Sequence, residues 1–105
     1  MTSILIIGRH AEILATVIRL LNNQPGWQAS GAQTDNEAIA LFSIHSFDIV
    51  LIGGGVEEQS EEKLTNEFKK LKPAVKIVRH FGGGSGLLYA EIMEALSKQN
   101  LRGGG

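Results

Sequence analysis

Apolar and polar positions along this chain follow two periods in turn, one suited to buried strands and one to amphipathic helices. Residues 3–7 are an almost continuously apolar run containing Ile4, Leu5, Ile6 and Ile7, the pattern of a strand covered on both faces in a parallel sheet. Ile13, Leu14, Val17, Ile18 and Leu21 then recur at i, i+1, i+4, i+5 and i+8, which is one helical stripe. Asn22-Asn23-Gln24-Pro25-Gly26 stops that helix, with Pro-Gly as the turn signal. Residues 27–33 form a weaker strand. Trp27, Ala29, Gly31 and Gln33 alternate with Gln28, Ser30 and Ala32, and this polarity predicts an edge position.

Thr34 is followed three residues later by Glu37, the spacing of a capping box, with Asp35 as the alternative cap. Ala38, Leu41, Phe42 and His45 share one face of the helix that follows. Phe47-Asp48-Ile49-Val50-Leu51-Ile52 is the most strand-like run, predicted central, and Gly53-Gly54-Gly55 ends it. A third helix spans 57–72, with Leu64, Phe68 and Leu71 on its buried stripe. Glu57, Glu58, Glu61 and Glu62 fill its first turns and Lys69, Lys70 and Lys72 its last. That polarity matches the helix dipole and reads as a solvated helix start. Pro73 ends the helix, and a fourth strand spans 75–81. After Gly82-Gly83-Gly84-Ser85-Gly86 a last helix runs from 87 to about 99, with Leu88, Ile92, Ala95 and Leu96 facing inward. Residues 100–105 read as a frayed tail.

Strands alternating with helices through short loops predict an α/β fold: a three-layer sandwich on a parallel sheet with right-handed crossovers. The chain of 105 residues fits one domain, 1–105, and is 43% hydrophobic and 20% charged. The net charge of −1 argues against nucleic acid as a partner, which needs a clustered basic excess. No cysteine is present, so disulfides, thiol catalysis and thiolate metal sites are excluded, in keeping with a reducing compartment. No apolar run approaches the ~20 residues of a membrane span, and no signal-peptide pattern opens the chain. The expectation is a soluble, cytoplasmic protein with no membrane partner.

The stretch Thr34-Asp35-Asn36-Glu37-Ala38-Ile39-Ala40-Leu41, then Phe47-Asp48-Ile49-Val50-Leu51-Ile52, together with Ile4-Leu5-Ile6-Ile7-Gly8-Arg9-His10, resembles the receiver domains of two-component signalling. The resemblance covers about three-quarters of the chain. It implies a flavodoxin- or receiver-like sheet of four parallel strands in the order 2-1-3-4, without the family's fifth strand and one helix. The final helix would then play the part of the family's last helix and pack back against the first. The resemblance also implies degenerate phosphorylation-site positions. Gly53 stands at the phosphate-accepting aspartate, Gly8 and Arg9 at the two magnesium-holding acids, and His80 near the hydroxyl residue of the fourth strand. Phosphoryl transfer needs a carboxylate nucleophile and a cation. A glycine supplies no nucleophile and an arginine repels the metal, so a non-catalytic pseudo-receiver, not phosphorylated on aspartate, is expected.

The carboxyl ends of strands in an open parallel sheet are where ligands bind. Arg9, His10, Gly54, Gly55, His80, Gly83, Gly84 and Ser85 are therefore candidates for holding an anion or nucleotide phosphate, on backbone N–H groups with charge added by side chains. Against this stands the plainer reading of tight turns. Nucleotide motifs fail: Gly82-x-Gly84 leads to Leu87 instead of a third glycine, and no Gly-Lys-Ser/Thr loop exists. A nucleophile elbow at Ser85 would also need glycine at 87. His10, His45 and His80 have no metal-ligand spacing, so neither metal nor cofactor is expected. The function read from the sequence is a signalling or scaffolding module working by protein–protein contact, with small-ligand binding as the alternative. Lacking a fifth strand, residues 75–81 become an edge, and a homodimer is expected through the last helix and the face beside that strand.

Overall fold

The computed structural model describes residues 1–80 and 85–104, and of residues 85 and 98–104 only the backbone. Two strands carry the centre: β1 (Thr2–Ile7) and β3 (Ile49–Ile52). Ile4 to Ile7 and Ile49 to Ile52 are all buried, as their continuous apolar character requires of strands covered on both faces. Their amides pair in parallel, Ile4 with Ile49 and Ile7 with Ile52. β2 (Trp27–Ala32) flanks β1 and β4 (Lys76–Arg79) flanks β3. The sheet order is therefore β2-β1-β3-β4, as the resemblance implied. β3 is shorter than the predicted 47–52 because Phe47 turns into the core and the Asp48 carboxylate accepts the Ser3 N–H at 2.8 Å.

Helices cover both faces. α2 (Asp35–Ile44) and α3 (Glu58–Leu71) lie on one face, where Phe42 stacks on Phe68 with ring centroids 4.4 Å apart. α1 (Ala11–Asn22) and α4 (Ser85–Gly104) lie on the other, joining Leu14 and Leu21 to Leu88, Ile92 and Ala95. The last helix does pack against the first: the Tyr89 hydroxyl donates to the Leu20 carbonyl at 3.0 Å, and its ring sits 6.0 Å from that of Trp27. α4 continues to Gly104, past the predicted end near residue 99, through a stretch that holds no proline to stop it. The helical stripes were read slightly too wide. Ile13 is 63% and Leu71 54% exposed, each at the margin of its stripe.

Local chemistry sets the junctions. Thr34 caps α2 in a full capping box, accepting the Glu37 N–H while Glu37 accepts its own, which leaves Asp35 free for another use. Asn22 ties the end of α1 to β2 by bonding both the N–H and the carbonyl of Ala29. Gly26 turns with φ +82°, a conformation that favours glycine.

Gly31 decides how closely α1 approaches the sheet. A Cβ there would lie 2.5 Å from Ile18 Cδ1 and 3.0 Å from Leu14 Cδ1. Gly31→Val should therefore destabilise the protein. Overpacking costs about 1–3 kcal/mol, more than the up to ~1 kcal/mol that strand propensity returns. Urea unfolding measures the balance, and a variant as stable as the parent would show that α1 is not pressed onto β2.

Candidate functional site at the carboxyl edge of the sheet

Because β1 and β3 are neighbours in register, the loops leaving them meet. The Gly53 N–H donates to the Ile7 carbonyl at 2.8 Å. A Cβ on Gly53 would come within 3.1 Å of that carbonyl and 3.7 Å of Gly8 Cα, and one on Gly55 within 3.9 Å of Arg9 Cβ. His80 joins them from the end of β4, its N–H on the Ile52 carbonyl at 2.9 Å. The structure thus gathers Gly8, Arg9, His10, Gly53, Gly54, Gly55 and His80 around one crevice. Ser85 opens α4, while Gly83 and Gly84 lie outside the described residues.

Arg9 organises this edge. Its Nη2 donates to Asp35 Oδ1 at 2.7 Å, its Nε to Glu57 Oε1 at 3.0 Å and its Nη1 to the Gln33 carbonyl at 2.9 Å. Gln33 returns a bond from Nε2 to the Arg9 carbonyl at 3.3 Å. The guanidinium, with its fork of fixed donors, therefore joins the loops after β1, β2 and β3. Its own pKa is raised, chiefly by the hydrogen bond to Asp35. Partial burial acts on Asp35 in the opposite sense, but hydrogen bonds from Arg9 and Ser60, with the charges of Arg9 and Lys63, outweigh it and hold the carboxyl below its ordinary value. Glu57 is lowered too, by its own backbone N–H and then by Arg9.

A second cation holds the same loop from the other side. Arg79, on β4, pairs with Glu61 and donates from Nη2 to the carbonyls of Val56 at 2.8 Å and Gly54 at 3.3 Å. The loop after β3 is thus fastened by Arg9 through Glu57 and by Arg79 through its backbone. Two acids of the run read as a merely solvated helix start, Glu57 and Glu61, are ion-paired.

The side chains proposed to receive an anion are bound within the chain. Arg9 faces two carboxylates, which leaves its surroundings net negative. His10 caps α1, its Nδ1 accepting the Ile13 N–H at 3.3 Å. His80 Nδ1 meets Glu91 Oε1 at 2.5 Å, and His45 ends α2 with its ring 6.2 Å from that of Phe47. The histidines therefore serve three separate places, and among the described residues no group of three or more His, Cys, Asp or Glu side chains gathers around a common point.

Sequence reasoning did not find Asp35, Glu57, Arg79, Glu61 or Glu91 as members of this edge. Arg9 lies 26 residues from Asp35 and 48 from Glu57, so no local spacing could pair them. The one available signal was a choice of caps: once Thr34 takes the capping role, Asp35 is left with an uncommitted carboxylate at the carboxyl edge.

No protein-family model matches the sequence, and no curated protein matches it. Solved structures do. A response regulator receiver domain protein from Clostridium thermocellum superposes with a TM-score of 0.77 at 19% identity, over 96% of this chain and 98% of that one. A LuxR family DNA-binding response regulator from Silicibacter pomeroyi gives 0.60 at 27% identity over 90% and 73%. A pilus assembly protein (cpaE) from Burkholderia thailandensis gives 0.62 at 21% over 90% and 80%. The chain thus has the receiver fold: four parallel strands in the order 2-1-3-4 with two helices on each face.

The Arg9 network predicts a pH dependence. Asp35 titrates lower in the folded chain than in the unfolded one. Its stabilisation is therefore full above the unfolded value of about 3.9 and is lost as pH falls through the lower folded value. Arg9→Met should cost about 1 kcal/mol at neutral pH, and its difference from the parent should shrink below about pH 4. Urea unfolding at neutral and acid pH, with the Asp35 carboxyl followed by NMR, checks both. A constant difference across pH would show that the ion pair contributes nothing.

Proposed function

We propose that this chain is a pseudo-receiver, a signalling or scaffolding module that works by protein contact without phosphorylation on aspartate. The observation that carries the reading is Arg9, whose guanidinium is bound by Asp35 and Glu57 at the carboxyl edge, where glycines stand at 8 and 53. A phosphoryl acceptor there needs a carboxylate free to attack and a metal ion to offset charge on the transferring oxygens. The carboxylates of Asp35 and Glu57 instead serve a resident cation. The edge is thereby fixed in one arrangement by the chain's own charges, and catalysis forms no part of its role. The anion-binding alternative loses support from the same bonds, because Arg9, His10 and His80 already have partners.

Contact is expected at β4. The sheet ends there among the described residues, and a trough beside it is lined by Lys76, Ile77, Val78, Glu91 and Ala95. Ile77 and Val78 are half-buried, and Met93 on the adjacent helix is 56% exposed. A second copy would cover this surface, apolar at Ile77, Val78 and Ala95 and charged at Lys69, Lys76, Glu91 and Glu94, in an isologous dimer, the commonest oligomer type. Lys76 and Arg79 place two cations on this strand, and edge cations deter strand-to-strand pairing. The favoured dimer therefore joins helices and sheet face and leaves the strand edges apart. No described helix is long and apolar enough to cross a membrane, and action in the cytoplasm suits the cysteine-free sequence.

Incubation with acetyl phosphate and magnesium should leave the intact mass unchanged, and beryllofluoride should move no amide resonance. A phosphoryl group on any aspartate would overturn the pseudo-receiver reading. Light scattering coupled to size exclusion should give a dimer mass at micromolar concentration, weakened by Val78→Asp with the fold checked by circular dichroism. A monomer mass throughout a wide concentration series would remove the dimer.

A further inference from the structure

The crevice at the carboxyl edge continues downward between α1 and α4 as a cavity of about 650 Å³, within the ~300–1,000 Å³ typical of small-molecule sites. It opens where the strand order reverses. From β1 the chain moves outward to β2, then returns across β1 to β3, and open α/β sheets bind ligands at such a switch point. The cavity exists because the helices that cover this face diverge. α1 is drawn over β2, where Gly31 admits Ile18, while α4 packs over β4. The gap between them lies above β1 and β3.

The walls are apolar: Ile6, Leu14, Val17, Leu51 and Leu88. The mouth supplies donors. The amide N–H groups of Gly54 and Gly55 have no acceptor among the described residues, and Arg79 holds the Gly54 carbonyl. Charge at the mouth does not favour an anion, since Arg9 is already paired with Asp35 and Glu57 and Glu12 also lines the rim. Apolar walls beside unpaired amide donors equally disfavour a cation.

We infer that this cavity binds an uncharged, mostly apolar small molecule whose single acceptor oxygen meets the Gly54 and Gly55 amides. The apolar body removes wall surface from water at roughly 25 cal/mol per Å², and the acceptor fixes its orientation. This site differs in chemistry from a phosphate cradle and holds whether or not the chain dimerises.

Nile red, an uncharged planar dye with a carbonyl acceptor, is the probe, and the anionic dye 1-anilinonaphthalene-8-sulfonate is the comparison. Nile red should bind one to one with a blue-shifted emission, and the anionic dye about tenfold or more weakly. The Gly54, Gly55 and Ile13 amides should shift on binding. Val17→Trp fills the cavity and Thr16→Trp, an exposed position on its rim, blocks it without touching the core. Each should weaken Nile red binding about tenfold or more. The inference is overturned by an unsaturable or absent blue shift, by tighter binding of the anionic dye, by undiminished binding to Thr16→Trp, or by amide shifts centred on Ile44, Leu71 or Met93.

Discussion

A parallel sheet must be covered on both faces, and that requirement governs this molecule. β1 and β3 are apolar along their whole buried length, so neither can turn a face to water. Two helices per face suffice for four strands, provided each helix lies close. Gly31 gives α1 that closeness on one side, and the stacked Phe42 and Phe68 bring α2 and α3 together on the other. α4 is then indispensable despite being the last element. Without Leu88, Ile92 and Ala95, the far half of its face would expose Ile49 and Leu51.

The carboxyl edge obeys a different rule. Loops that converge there carry N–H groups and dipoles that in many α/β proteins await a ligand. Here a built-in cation instead ties the loops together by donating to two carboxylates and a backbone carbonyl. Arg9 reaches three loops from one position, and the carboxylates that answer it come from the first turn of α2 and the cap of α3. Those acids suit helix starts in any case, so the network adds little electrostatic conflict to the fold. Arg79 fastens the same loop from β4. The loops at this edge of the receiver fold are in this way tied to one another by the chain's own side chains.

Much of the fold was legible because its signals are local. Continuous Ile-rich runs marked β1 and β3, the Thr34 and Glu37 spacing marked the start of α2, and the polarity of residues 27–33 marked an edge. The margins of the stripes were less so, since Ile13 and Leu71 are apolar without being covered and exposed apolar residues are common. The site was legible as a place but not as a network. The glycines and Arg9 announced a carboxyl edge, whereas the Arg9 and Arg79 partnerships join residues 18 to 48 positions apart. The emptiness between α1 and α4 was invisible, because it follows from how two helices lean and not from what either contains.

The two open surfaces, the β4 edge and the crevice, share a residue. Arg79 belongs to β4, yet its guanidinium holds the carbonyl of Gly54, which shares a peptide plane with the N–H of Gly55 at the crevice mouth. A peptide plane cannot turn its N–H without moving the neighbouring carbonyls. A displacement of β4 would therefore reorient the donors at the crevice, and an occupant on those donors would resist the displacement. Such linkage is reciprocal by thermodynamic necessity. Three bonds from one guanidinium, to Glu61, Val56 and Gly54, fasten the loop to β4 and to α3 together. Arg79 thus joins this edge to β4 through side-chain bonds, beside the backbone bonds by which Gly53 and His80 join it to β1 and β3.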